Sequence, residues 1–153
     1  MTRRPGAAPA LLVAAALAAA LAGCVHYPAV EDIGGVRIRP QNARIVRQGA
    51  QATLYVDLSS TGKFGDLLVA AQSPVSRAVL VVPPGTAPAP DDVDTKGLGP
   101  TLWVPGKSVV SLRPNGPRVD LADFTRPLAP GETVIVLLIF QKSGPIGAVA
   151  AVE

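Results

Sequence analysis

Downstream of residue 49, glycine and proline interrupt the chain so often that no long amphipathic helix fits between them. The chain has 15 Gly and 16 Pro but only 4% aromatic residues, a balance that favours short strands joined by turns over a helix bundle. In "QATLYVDL", Ala52, Leu54, Val56 and Leu58 alternate with Gln51, Thr53, Tyr55 and Asp57, the period expected of a half-buried strand. "SSTGKFG" ends it with a run of turn residues.

The same reading predicts strands at 66–71, 77–82, 101–104 and 108–112, another within "RVDLADF", and a last one in "IGAVAAV". "TVIVLLIF", from Thr133 to Phe140, has no polar alternate and predicts a central strand buried on both faces. Pro83 to Pro100 is rich in Pro, Gly and Asp without an apolar period, and reads as a long exposed loop of the kind that often carries function. Eight or nine short strands with turns about every 8 to 12 residues make an all-β sandwich or barrel. With 153 residues and 48% hydrophobic content, one such domain is expected.

The N-terminus follows different rules. Arg3 and Arg4 precede an unbroken run of small and aliphatic residues from Ala10 to Ala22, shorter than the roughly 20 residues of a membrane-spanning helix and of the form of a secretory signal. It ends in Leu21-Ala22-Gly23-Cys24, which resembles a bacterial lipobox. That resemblance implies cleavage between Gly23 and Cys24, diacylglycerol on the Cys24 thiol, and a protein held to the outer face of a membrane, since two or three acyl chains anchor stably where one does not. Pro5-Gly6 after the arginine pair favours general secretion over twin-arginine export. The expected organisation is a signal at 1–23, a lipidated tether at 24–35 and a domain at 36–153.

Once Arg3 and Arg4 are removed, 12 basic side chains face 11 acidic ones, so the calculated basicity says little. No basic stripe interleaved with aromatics supports nucleic-acid binding. Cys24 and His26 are the chain's only cysteine and histidine. With the thiol consumed by lipid and the imidazole on the tether, neither Ser-His-Asp nor Cys-His catalysis can be assembled, and an enzyme is not expected.

Four stretches, in their order and spacing, carry a further resemblance from about Val36 to the C-terminus: "ATLYVDLSSTGKFGDLLVAAQSP", "LWVPGKSVVSLRPNGPRVDL", "FTRPLAPGETVIVLLIF" and "QKSGPIGAVAAV". The chain resembles the PCu(A)C-type periplasmic copper chaperones. That resemblance implies a cupredoxin-like, immunoglobulin-like β-sandwich and a copper site of histidines and methionines, soft ligands suited to Cu(I). The family's His-x-Met pair falls on Arg118 and Asp120, its earlier histidine near Val82 and its middle methionine near Lys96. None of these is a Cu(I) ligand. Met1 is the chain's only methionine, so the mature chain cannot build the family's site. No cofactor is therefore expected, and any copper would need unusual ligands such as carboxylates or the His26 region.

Other candidates have plainer readings. Arg118 and Asp120, two apart in a strand, share a face and offer a polar recognition patch with Asp123 and Arg126, or an ordinary solvated strand face. Asp91, Asp92 and Asp94 supply hard oxygen ligands for Ca²⁺ but lack the Gly and terminal Glu of a full calcium loop, so a solvated acidic loop is expected. Trp103 is read as packed in its strand. The expected function is a lipid-anchored accessory or interaction module with a membrane through Cys24 and an envelope protein as partners. Copper delivery by other ligands is the alternative.

Overall fold

The computed structural model describes residues 35–153. The signal, Gly23, Cys24 and His26 lie outside the described residues. Among the described residues nine strands follow one another without a helix: β1 (Ile38–Gln48), β2 (Gln51–Ser60), β3 (Asp66–Gln72), β4 (Arg77–Val81), β5 (Leu102–Val104), β6 (Ser108–Leu112), β7 (Arg118–Ala122), β8 (Thr133–Phe140) and β9 (Gly144–Val152).

The strands form one curled sheet in the order β4-β7-β2-β1-β9-β8-β3-β5, with β6 also paired to β2. β2 holds two neighbours on one edge: its first half pairs with β7, Leu54 opposite Val119, and its second half with β6, Leu58 opposite Val110. All neighbours are antiparallel except β1 and β9, which run parallel at Arg44 and Ala151. The inward residues of both halves of the sheet form one buried cluster: Leu54, Leu58, Val119 and Leu121 from one half and Leu68, Leu102, Val136, Leu138 and Phe140 from the other. Each such side chain contributes roughly 1.5–3 kcal/mol by leaving water.

The structure departs from the sequence reading in three places. β1, the longest strand, escapes the sequence reading, because Pro40 and five arginine and glutamine side chains hide its period. It bends at a register shift between Gln41 and Arg44, where Asn42 adopts φ 52° and its Nδ2 donates to Asp57 Oδ2 at 2.9 Å. β2 has the expected core face, but Thr53 and Tyr55 on the other side are buried as well; Thr53 lies beneath Asp120, and the Arg44 guanidinium covers the Tyr55 ring at 5.7 Å. β8 is central in the sheet but buried on one face only. Val134, Val136, Leu138 and Phe140 point inward, while Ile135 is 50% exposed.

The turns at one end are drawn tightly together. A side chain at Gly106 would come within 2.3 Å of the Lys63 carbonyl, and one at Gly65 within 2.5 Å of the Trp103 ring, so only glycine permits these approaches. Asp66 is fully buried and accepts four hydrogen bonds. Its Oδ1 takes the N–H groups of Leu67 (2.8 Å) and Lys142 (3.0 Å), and its Oδ2 takes the N–H (2.8 Å) and hydroxyl (2.7 Å) of Ser143. This one carboxylate ties the start of β3 to the β8–β9 turn, supplying acceptors that buried N–H groups require.

Candidate functional site

β7 begins where the "RPNGP" turn closes, with the Arg113 N–H donating to the Pro117 carbonyl at 3.1 Å and Gly116 N–H to Arg113 at 3.0 Å. Val119 and Leu121 then face the core, which turns Arg118 and Asp120 outward together. Arg118 Nε donates to both Asp120 oxygens at 3.2 Å, and Thr53 Oγ1 donates to Asp120 Oδ1 at 3.0 Å. The result is a half-exposed ion pair, neutral as a unit and pinned to β2.

Across the edge of the sheet, Val81 lies opposite Arg118 and the exposed Val79 opposite Asp120. The next residue, Val82, packs partly against the core. Val82 and Lys96 line the same groove of about 710 Å³, formed between the long loop and β5, together with Trp103. The fold therefore brings Val82 and Lys96 to one groove and Arg118 beside the strand that leads into it. The loop is held from within and from the β8–β9 turn: Lys96 N–H donates to Asp94 Oδ1 at 3.0 Å, and Gln141 Nε2 donates to the Asp94 carbonyl at 3.0 Å.

A guanidinium, an ammonium and an alkyl group cannot ligate a metal, which leaves Asp120 as the donor among these four positions, already engaged by Arg118 and Thr53. Among the described residues no group of three or more His, Cys, Asp or Glu side chains is placed to hold a metal ion. Asp91, Asp92 and Asp94 are exposed. Trp103 is half-buried, its ring against Gly65.

Asp123 and Arg126 do not join the Arg118–Asp120 pair by any hydrogen bond. Asp123 is exposed, with φ 51°. Arg126 is bound through both terminal nitrogens to Glu132, which also accepts the Ala129 N–H at 3.0 Å. The Arg126 hydrogen bonds, followed by that from Ala129, hold the Glu132 carboxyl down to about 2.

Sequence reasoning missed a second polar cluster. Asp57 accepts from Asn42, from Ser111 Oγ at 2.6 Å and from Arg113 at 2.9 Å. These bonds, Asn42's first and Ser111's second, hold its carboxyl below the ordinary carboxylate range. Together they link the bend in β1 to β2 and β6. Only the pairing of β2 with β6 reveals it, because the partners are far apart in sequence.

Solved structures share this architecture. The copper-bound PCuAC domain from PmoF2 aligns with a TM-score of 0.60 and 21% identity over 78% of this chain and 95% of its own. The apo PCuAC domain from PmoF1 gives 0.58 and 26% over 80% and 96%. The solution structure of Cu(I)-DR1885 from Deinococcus radiodurans gives 0.53 and 22% over 89% and 85%. No curated protein sequence matches the chain. Residues 32–152 match the LpqE-like family, described as a lipoprotein family. With most of its length matched, the chain belongs to the LpqE-like family and carries a PCuAC-type domain.

Proposed function

We propose that this protein is a non-enzymatic interaction module of the cell envelope, tethered by lipid on Cys24, in which the outer face of β7 recognises a protein partner in place of copper. The carrying observation is the Arg118–Asp120 ion pair at the positions where the resemblance puts the His-x-Met ligands. A half-exposed, preorganised pair of opposite charges beside exposed Val79 offers orientation and specificity to a polar partner more than raw affinity. The family description as a lipoprotein supports an extracytoplasmic location, as does the lipobox-like run ending at Cys24.

The test is recovery of envelope proteins on the lipidated protein. A specific partner is expected to bind wild type and to weaken on Arg118→Ala and on Asp120→Ala; equal recovery with both variants removes β7 as the recognition face. Mass spectrometry of the membrane-extracted chain is expected to find diacylglyceryl on Cys24, and an unmodified thiol overturns the tether.

A second reading is favoured by the copper-bound PmoF2 domain and Cu(I)-DR1885 among the similar structures. In it the chain delivers copper with non-standard ligands, carboxylates or the His26 region, which suit Cu(II) better than Cu(I). Stoichiometric copper capture in competition with a chelator supports that reading, and none above the background of a surface variant dismisses it.

A further inference from the structure

The chain enters the sandwich at the end where three turns meet. Gly35 lies against Gly62 of the β2–β3 turn, and the Thr61 N–H donates to the Arg37 carbonyl at 2.9 Å. The β5–β6 turn is stitched to the same place by the Lys107 N–H on the Gly62 carbonyl at 3.0 Å. The β8–β9 turn is held there by Asp66 through Lys142 and Ser143. Each turn presents one exposed lysine: Lys63, Lys107 and Lys142. On the β2–β3 turn Phe64 is 55% exposed, with the Lys63 ammonium 5.5 Å from its ring centre.

Asp66, at the foot of these turns, is buried, so the charged side chains that the three turns themselves expose are the lysines. Asp94 reaches this end through Gln141, and one of its oxygens already accepts the Lys96 N–H. Such an arrangement, an exposed aromatic beside one lysine with two further lysines on the joined turns, matches a surface of anionic phosphates over an apolar layer. Gly35 follows Cys24 by eleven residues, a reach of about 40 Å at full extension.

We propose that this end of the sandwich docks on an anionic lipid surface, Phe64 entering the headgroup layer while Lys63, Lys107 and Lys142 meet lipid phosphates. In the cell this rests on the Cys24 tether, which would keep the docking end close to the bilayer. Docking would then hold the domain upright over the membrane. The docking itself is tested without the lipid.

The chain from Val25, which contains every buried core residue among those described, is mixed with vesicles of phosphatidylcholine alone or of equal parts phosphatidylcholine and phosphatidylglycerol, and the bound fraction is read by sedimentation. Binding to the anionic vesicles only, falling as salt rises, is expected. Each of Lys63→Gln, Lys107→Gln and Lys142→Gln is expected to lower partitioning about fivefold, and the triple variant on the order of a hundredfold. Phe64→Ser is expected to weaken binding without altering its salt dependence. Arg77→Gln, the same charge change on β4, is expected to leave it unchanged.

Equal binding to both vesicle types, an Arg77→Gln effect equal to those of the lysines, or no binding at low salt overturns the proposal. So does self-association through the same residues without vesicle binding, which would make a second copy the occupant. An unmodified Cys24 would overturn the tether while leaving this result standing.

Discussion

Asp66 is the residue whose replacement should be felt most for the smallest change in shape. Asp66→Asn keeps the volume but turns one of its two acceptor oxygens into a donor. If the remaining oxygen stays on Leu67 and Lys142, the new amide faces the Ser143 N–H, which has no other acceptor in its hydrogen-bond set. The Ser143 hydroxyl can rotate to accept, but the backbone N–H cannot. A buried donor left unsatisfied costs about 1–3 kcal/mol, and each of the two retained bonds loses about 1 kcal/mol of charge assistance. Burying a neutral amide instead of a carboxylate recovers part of that loss, so the net destabilisation is expected to be about 2–4 kcal/mol, a large share of a domain stability on the order of 5–15 kcal/mol. Urea unfolding followed by Trp103 fluorescence should show a lower midpoint at unchanged slope. Ser143→Ala alone, which removes only the hydroxyl, should cost about 1 kcal/mol. The two losses should be non-additive, because both act on Oδ2. A loss below about 1 kcal/mol for Asp66→Asn would refute the view that this carboxylate joins β3 to the β8–β9 turn.

Gly65→Ala places a methyl group 2.5 Å from the Trp103 ring and 2.6 Å from the Val104 carbonyl, and should cost about 1–3 kcal/mol, with a change in Trp103 emission as the check. Ile135→Thr and Val136→Thr should separate sharply: the first changes an exposed position and should stay within about 0.5 kcal/mol of wild type, while the second buries an unpaired hydroxyl and should cost about 1–3 kcal/mol. Asp57 and Glu132 both have lowered folded-state carboxyl pKa values, so their contributions are complete above the ordinary carboxylate range and are lost as pH falls towards about 2 for Glu132. Thermal melts across that acid range should show a shallower pH dependence in Asp57→Asn and Glu132→Gln.

The parts of the fold legible in sequence were those where one strand face is apolar and the other polar. Ala52, Leu54, Val56 and Leu58 gave β2 its core face because each is small or aliphatic and its neighbours are not. β8 misled because Ile135 and Leu137 are as apolar as Val136 and Leu138 but point outward, and side-chain chemistry alone carries no sign for direction. β1 escaped because Pro40 sits inside it, tolerated where the strand bends. At the candidate site, the shared face of Arg118 and Asp120 followed from their spacing. Their tie to Thr53 did not, because it depends on the register between β2 and β7. Asp57 and Asp66 were missed for the same reason: each gathers partners that only the folded sheet brings within reach.

The antiparallel pairing of β1 with β2 also sets how the molecule would bear force. A pull on residue 35, directed out of the end where the chain enters, would act along the axis of β1. The ladder to β2, from Ile38 opposite Ser60 to Gln48 opposite Gln51, would then be loaded in shear, its hydrogen bonds sharing the strain instead of opening one after another. Asn42 sits within this loaded strand, and its side chain transfers part of the pull to Asp57 and from there to β6. A domain pulled from that end by a membrane tether would resist as a joined pair of strands, and the bend in β1 would be where yielding begins.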